Sequence, residues 1–256
     1  MLIVPSIAGH WLSLVPTAGS GGLGGRVAVG LGVTLVFALL ARWLRAVNWR
    51  GAVAGALVTW MVYVGTGPGG FVCVVVVFLL TSLATRFGYR HKQELGTAEN
   101  REGRSARQVL ANLGVAACAG AALLFRPSPL FLLAMAAALA EAAADTVSGE
   151  MGQALEPRAY LITSFRPVEP GTNGGVSLSG TMAGCLAALV VAAACAGAYL
   201  IRLPWIALVA VAGVLGMMFD SVLGATLERP GRLNNDAVNL LSTLLAAGAA
   251  VLIGWL

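Results

Sequence analysis

Long apolar stretches alternate with short polar segments along most of this sequence. Eight such stretches lie at residues 26–44, 51–66, 69–86, 108–125, 129–148, 176–201, 204–225 and 237–256. A helix needs about 20 apolar residues to cross a bilayer, so each stretch predicts one transmembrane helix. Turn-forming residues join neighbouring stretches, as at Gly67-Pro68-Gly69 and Arg126-Pro127. The pattern therefore predicts an all-α integral membrane protein with about eight transmembrane helices.

The composition supports this class of protein. Hydrophobic residues make up 58% of the 256 residues and charged residues only 11%, whereas a soluble domain carries about 25% charged residues. We expect a single transmembrane domain over residues 1–256. Its first part, residues 1–25, is interrupted by Pro5 and Pro16 and is predicted to be a loose or interfacial segment.

The basic residues predict the orientation in the membrane. Of the 16 Lys and Arg residues, 13 lie in the segments after the first, third, fifth and seventh stretches, and only Arg26, Arg126 and Arg202 lie on the other side. Cytoplasmic loops are enriched in Lys and Arg. Those four segments are therefore predicted to be cytoplasmic, and both termini non-cytoplasmic. Because the net charge of +5 follows the membrane sides, it does not indicate a nucleic-acid partner.

The acidic residues fall on the same side. All 11 Asp and Glu residues lie in the half predicted to be cytoplasmic. Glu141 and Asp145 are four residues apart on one predicted helix, so they share a face. An ionised carboxylate is costly in lipid, so both are expected to face the bundle interior. This clustering predicts a catalytic site at one membrane face.

One short motif occurs twice. Asp145–Gly149 and Asp220–Gly224 both read D-[ST]-V-x-G at the cytoplasmic end of an apolar stretch. Each is followed by an Asn-containing turn and another apolar stretch, which suggests a duplicated helix-loop-helix unit. The two aspartates are then expected to meet near a shared axis, where a cation relieves their repulsion. Mg²⁺, held by a few carboxylates with phosphate oxygens and water, suits such a site.

Three polar segments on this face allow two interpretations each. Gly171–Ser177 precedes the sixth stretch and predicts either a phosphate cradle before a helix N-terminus or a plain turn with a capping residue. The same alternatives apply to Asn234-Asn235-Asp236 before the last stretch. In segment 86–107, Lys92 and five arginines either bring positive charge to phosphates or form a solvated basic loop.

Several motifs, in this order along the chain, resemble those of one known family. They are Gly103-Arg104 with residues 108–112, then residues 144–152, 170–177, 180–184, 220–226 and 234–239. They are similar to the motifs of a widespread family of multi-spanning membrane proteins that includes the plant phytyl-phosphate kinase. The resemblance covers residues 80–256, which we therefore expect to form the catalytic region.

The resemblance implies a phosphotransferase. Such an enzyme moves a phosphoryl group from a nucleoside triphosphate, with CTP the expected donor, to a polyprenyl or phytyl monophosphate and yields the diphosphate. The expected cofactor is Mg²⁺. The expected partners are the nucleotide, the isoprenoid monophosphate and membrane lipid; a homodimer is left open.

The resemblance and the shared membrane face together assign a role to each candidate residue. Catalytic roles are predicted for Asp145, Asp220, Lys92 and Arg104. The predicted Mg²⁺ ligands are Asp145, Glu150, Asp220 and Asp236. The predicted contacts to substrate and nucleotide are Arg86, Gln108, Asn112, Asn173, Gly174, Gly175, Ser177, Asn235 and Asn239.

Other functions use similar features. A secondary transporter also carries acidic residues in its helices and contains repeats, but it needs polar residues near the midplane and a path to both sides. A cytidylyltransferase that makes a CDP-activated lipid would use similar Mg²⁺ chemistry and release diphosphate. A structural membrane protein without activity is the remaining alternative.

Overall fold

The computed structural model describes residues 22–256, which form nine α-helices and three short strands within that range. The helices are α1 (Gly22–Trp43), α2 (Trp49–Thr66), α3 (Pro68–Arg86), α4 (Tyr89–Glu94), α5 (Ala106–Ala122), α6 (Pro129–Leu155), α7 (Leu178–Gly197), α8 (Trp205–Leu223) and α9 (Asn235–Trp255). The strands are β1 (Ala159–Leu161), β2 (Pro167–Val168) and β3 (Gly175–Val176). Of the predicted interfacial segment, residues 1–21 lie outside the described part of the chain, and residues 22–25 begin α1.

Eight long helices occupy the eight predicted apolar stretches, and the chain is a multi-pass, all-α integral membrane protein. Six helices in the described range, α1, α3, α6, α7, α8 and α9, are long and apolar enough to cross a bilayer. The other two, α2 and α5, have 18 and 17 residues and fall outside that set. The count of eight spans stays a prediction.

Helix α6 is the centre of the bundle. Every residue from Leu132 through Ala144 is buried, and eight of these thirteen are alanine. Two glycines allow α7 to approach α6 closely: a Cβ on Gly180 would lie 2.6 Å from the carbonyl oxygen of Ser148, and one on Gly184 would lie 2.8 Å from that of Ala144. Small residues at helix contacts are typical of proteins in lipid.

Large aliphatic side chains lie on the outside instead. Val36, Leu39 and Leu186 are 68%, 57% and 62% exposed. In water such a surface would be unstable, but against lipid tails it carries no penalty. Small residues inside and large apolar residues outside therefore agree with a bilayer as the solvent.

The connection between α6 and α7 contains a small sheet that the apolar pattern does not predict. Its strands lie in the order β2-β1-β3, and both pairs are antiparallel. Helix α6 also continues to Leu155, beyond the expected end of its apolar stretch at residue 148. The second hairpin differs: α8 runs on into a π-helical turn, Gly224–Glu228, before the short loop to α9. The two D-[ST]-V-x-G hairpins are therefore not equal in their loops.

Candidate active site

A polar cleft of about 400 Å³ lies where α6 and α8 meet the loop before α7 and the start of α9. Most of the predicted site residues line it, namely Arg104, Gln108, Asn112, Asp145, Glu150, Asn173, Gly174, Gly175, Ser177, Asp220, Asn235 and Asn239. The structure thus brings residues from distant parts of the chain to one place. Lys92, Arg86 and Asp236 do not line the cleft.

Both aspartates of the repeated motif line the cleft. Asp145 comes from α6 and Asp220 from α8, and their carboxylates are close enough to repel each other. The hydroxyl of Ser242 on α9 lies 3.2 Å from Asp220 Oδ2, which holds that carboxylate in place. Glu141, one turn deeper than Asp145, is buried, but it does not line the cleft.

Arg104 owes its position to the loop between α1 and α2. Its backbone N–H donates to the Ala46 carbonyl at 3.0 Å, and its carbonyl accepts from the Asn48 N–H at 3.0 Å. The preceding Gly103 has φ +82°, and a Cβ there would lie 2.5 Å from the backbone of this loop, so only glycine fits without strain.

The Arg104 side chain then reaches into the cleft. Its Nη2 lies 3.4 Å from Thr146 Oγ1 on α6, and its guanidinium attracts the Asp145 carboxylate. An arginine beside two aspartates can bind a phosphate with parallel hydrogen bonds.

Helix α5 contributes an amide-rich wall. Ser105 and Gln108 form a reciprocal capping box at its N-terminus, and Gln108 Nε2 also donates to Glu99 Oε2 at 3.3 Å. Asn112 is buried and donates to the Gln108 carbonyl at 2.8 Å. Both amides therefore sit in fixed orientations at the cleft.

The glycine-rich loop before α7 lies directly against the π-helical turn. Gly174 has φ +79°, and a Cβ there would lie 2.5 Å from Ala225 Cβ. A Cβ on Gly224 would lie 2.8 Å from the Gly174 nitrogen. The loop can approach this closely only because both positions are glycine, and the approach brings Asn173 and Gly175 into the cleft lining.

The N-terminus of α7 is partly closed by the protein itself. Ser177 caps it, with its hydroxyl oxygen accepting from the Gly180 N–H at 3.2 Å. Glu156 Oε1 accepts from the Ser179 N–H at 3.1 Å. The capping interpretation therefore applies to these two N–H groups, although the whole of Gly171–Ser177, including the capping residue, lines the cleft.

Lys92 requires a correction. Its side chain is fully buried, and its ammonium binds Glu150 Oε2 at 2.5 Å, the Thr85 carbonyl at 2.9 Å and the Ala84 carbonyl at 3.1 Å. These contacts use all three protons of the ammonium group. Lys92 thus ties α4 to α3 and α6 and does not reach the cleft.

The predicted four-carboxylate metal site is also corrected. Within residues 22–256, no three His, Cys, Asp or Glu side chains form a group that could hold a metal ion. Glu150 is neutralised by Lys92, and Asp236 lies in the first turn of α9, where it complements the positive end of the helix dipole. Asp145, Glu150 and Asp220 line the cleft, and because Glu150 is paired with Lys92, Asp145 and Asp220 are the two members that are left to bind a cation there.

Arg86 lies beside a neighbouring groove, where its Nη2 donates to the Leu44 carbonyl at 2.7 Å.

The cleft also contains residues that the sequence did not single out, among them Glu99, Ser148, Gln153 and Glu228. The Gln153 Oε1 atom is buried without a hydrogen-bond partner among the described residues. For Glu228 a signal existed: Asp220, Gly224 and Glu228 follow at intervals of four, which predicts one helical face.

The fold and the cleft define a class: a multi-pass α-helical membrane protein with a charged, polar cleft at one end of its bundle. The chain belongs to the family of integral membrane proteins designated DUF92, whose model matches residues 32–247.

Several relatives are similar over most of the chain. The uncharacterized membrane protein sll0875 of Synechocystis is 35% identical over 199 residues, which are 76% of each chain. The chloroplastic protein VTE6 of Arabidopsis thaliana is 32% identical over 225 residues, 84% of this chain and 66% of VTE6. The uncharacterized membrane protein MJ0933 of Methanocaldococcus jannaschii is 31% identical over 229 residues, 89% and 94% of the two chains. No solved structure matches the chain.

Proposed function

We propose that this protein is a membrane-embedded phosphotransferase that moves a phosphoryl group from CTP or a related nucleoside triphosphate to a polyprenyl or phytyl monophosphate. The relation to VTE6 suggests a prenyl-phosphate kinase. The observation that carries the proposal is the cleft itself, in which Asp145 and Asp220 lie with Arg104 and a glycine-rich loop.

The residues present fit a magnesium ion as the cofactor. Mg²⁺ in phosphate-transferring sites is bound through one or two carboxylates, with substrate phosphates and water completing its shell. Asp145 and Asp220 would be the two carboxylates that hold the ion, and its positive charge would offset their mutual repulsion. When bound, the ion supplies positive charge that offsets the charge on the phosphates.

The chain's own residues perform the rest of the chemistry. The acceptor phosphate is already an anion, so no strong general base is needed. One of its oxygens forms a bond to the γ-phosphorus, the bond from that phosphorus to the β–γ bridging oxygen breaks, and the nucleoside diphosphate leaves. Arg104 binds and orients the phosphates, and the loop of Asn173 and Gly174 offers its backbone to the nucleotide.

We place this site on the cytoplasmic side and both termini on the opposite side. The support is the distribution of Lys and Arg, 13 of which belong to the segments at this end of the helices. A water-soluble nucleotide then enters the cleft directly from the cytoplasm.

The direct test uses the purified protein in nanodiscs with Mg²⁺, prenyl monophosphates and CTP labelled at either its α- or its γ-phosphate. Kinase activity moves only the γ-label to the lipid. Appearance of the α-label in the lipid would instead indicate a cytidylyltransferase. If neither label moves with any acceptor or nucleotide, the proposal is wrong, and uptake into liposomes would then support a transporter.

Two substitutions test whether Asp145 and Asp220 belong to the catalytic site. Asp145→Asn and Asp220→Asn are each expected to reduce turnover by about 1000-fold or more, because each removes charge that holds the cation. Asp236→Asn is the matched control, since Asp236 lies outside the cleft lining and is expected to leave turnover within about threefold of normal. Near-normal turnover in both cleft variants would overturn the assignment.

A further inference from the structure

A second cavity, of about 470 Å³, lies between α1, α2 and α3 with α5 as its floor. Its deeper walls are apolar and include Phe37, Ala38, Val74, Val77 and Phe78. We refer to it as the tail groove. Among the residues that the sequence assigns to the site, Arg86 lines only the tail groove. Arg104, Gln108 and Asn112 line both the tail groove and the cleft.

The tail groove and the polar cleft adjoin each other. Four residues, Glu99, Arg104, Gln108 and Asn112, line both cavities. The junction is therefore formed by Arg104 and the amide wall of α5, which also line the cleft that contains the two aspartates.

The polarity of the tail groove changes along its length. Arg45, Arg86, Arg101 and Arg104 line its end nearest the cleft, while aromatic and aliphatic side chains line the other end. From Arg86 to Val74 on α3 the groove extends for about 18 Å at 1.5 Å per residue. Near the deep end, Phe37 packs edge-on against Phe71 and Phe78 with ring centroids 5.5 and 5.1 Å apart.

We infer that the tail groove binds the hydrocarbon chain of the acceptor, with the acceptor phosphate held at Arg104 in the cleft. The inference rests on the proposed function and adds where the lipid lies. A cavity with cations at one end and apolar walls at the other matches an isoprenoid monophosphate, whose only polar group is its phosphate.

Gly55 on α2 gives a way to fill the groove without disturbing the fold. It lines the groove, and a Cβ there would meet nothing within 4 Å. One turn away, Gly51 differs, because a Cβ there would run into the carbonyl of Arg104. A leucine at position 55 therefore extends into the groove, and it favours the helix more than glycine does.

The experiment compares Gly55→Leu with Gly32→Leu. Gly32 on α1 also has nothing within 4 Å of its Cβ, but it lies outside the groove lining, so it controls for adding leucine to a helix in lipid. Two readouts are measured on the full chain in nanodiscs: the residues crosslinked by a geranylgeranyl monophosphate with a photoreactive group at the end of its tail, and KM for geranylgeranyl and dimethylallyl monophosphate.

The expected crosslinks fall on α1 and α3 around Phe37, Val74 and Phe78, and Gly55→Leu abolishes them while Gly32→Leu does not. KM for the long acceptor is expected to rise about tenfold in Gly55→Leu, while KM for the short acceptor stays unchanged. The short acceptor shows that the variant is folded and active.

The two readouts separate this inference from the proposed function. Turnover with crosslinks elsewhere, for example on the outer face of α7, would overturn the groove assignment and leave the kinase intact. Crosslinks in the groove without phosphoryl transfer would support the binding site and count against the kinase. If the probe binds nowhere and no transfer occurs, both are wrong.

Discussion

Arg104 shows how one residue links two parts of the molecule. Its backbone is fixed by the loop between α1 and α2, its side chain reaches α6, and it lines both cavities. The motif Gly103-Arg104 is visible in the sequence, but its reason is not: the positive φ of Gly103 and the close approach of residues 45–47 depend on the fold.

The planar geometry of the Arg104 guanidinium is expected to matter as well as its charge. Arg104→Lys keeps the charge but removes the planar fork of donors. We expect kcat/KM to fall about 100-fold, which corresponds to about 2.7 kcal/mol of transition-state stabilisation. Arg107→Lys, at an exposed position in the first turn of α5, is the control and is expected to be neutral. Equal activity of the two variants would remove Arg104 from the site.

The second prediction separates structure from catalysis at Lys92. Lys92→Met leaves the Glu150 carboxylate without its cation in a mostly buried site, so we expect a loss of about 3–5 kcal/mol in stability. The double variant Lys92→Met with Glu150→Gln removes both charges and is expected to regain most of the stability and the turnover. Thermal unfolding in detergent measures the stability, and the label-transfer assay measures the turnover. A stable but inactive double variant would instead support the catalytic role that the sequence predicted for Lys92.

Sequence reasoning succeeded for residues whose chemistry and position were both local. The two aspartates, the glycine loop and the amides of α5 meet at the cleft because they lie at helix ends on one side. It failed for Lys92, because the decisive contact joins residues 58 apart along the chain. Charge type alone does not distinguish a buried ion pair from a phosphate ligand.

At the scale of elements, the π-helical turn after α8 carries more of the site than its length suggests. It continues the face that bears Asp220, so that Glu228 also reaches the cleft, and its first residue, Gly224, accommodates the loop of Gly174. Such turns are rare in proteins overall, and those that do occur are often found at functional sites. Periodicity could not predict it, because the turn ends the helix and no apolar repeat follows in which a shift of phase could be seen.

This contact predicts an asymmetry between the two copies of the repeated motif. Gly224→Ala places a Cβ against the Gly174 nitrogen and displaces the loop, whereas the nearest atom to a Cβ on Gly149 is 4.0 Å away. We expect Gly224→Ala to lose about 1–3 kcal/mol of stability and most of its activity. Gly149→Ala is expected to change stability by less than about 0.5 kcal/mol. Equal effects in thermal unfolding would show that the loop does not need this approach.

The small sheet after α6 is the other element that the sequence did not predict. Its strands are two or three residues long, too short for an alternating pattern to be recognised. It nevertheless positions the glycine loop, since Gly175 pairs with Leu161 of β1. Tertiary contacts, rather than local preference, create strands of this length.

At the scale of the whole molecule, the site does not belong to the later part of the chain alone. The family-like region was expected at residues 80–256, but the loop at residues 45–48 clamps Arg104, and α1 and α2 wall the tail groove. The family match, at residues 32–247, includes these helices. Hydrophobicity alone gave no reason to assign them a role in the site.

The proposed orientation predicts a pattern of chemical labelling. In a variant without native cysteines, single cysteines at Glu94 and Arg166 are expected to react with a membrane-impermeant maleimide only from the cytoplasmic side. Cysteines at Arg126 and Leu203 are expected to react only from the opposite side. Because residues 94 and 126 flank α5, the same labelling shows whether this 17-residue helix crosses the bilayer. Labelling of both from one side would reduce the count of spans.

The alanine-rich centre of α6 has a consequence for how genetic data on this protein should be interpreted. Alanine loses no side-chain entropy on folding, so a helix enclosed on all sides is ordered at little cost, but any larger residue there overpacks the bundle. In a scan of all single substitutions, residues 134–144 should therefore form one continuous intolerant block. That block would resemble an active site in a variant map, although none of its residues lines the cleft.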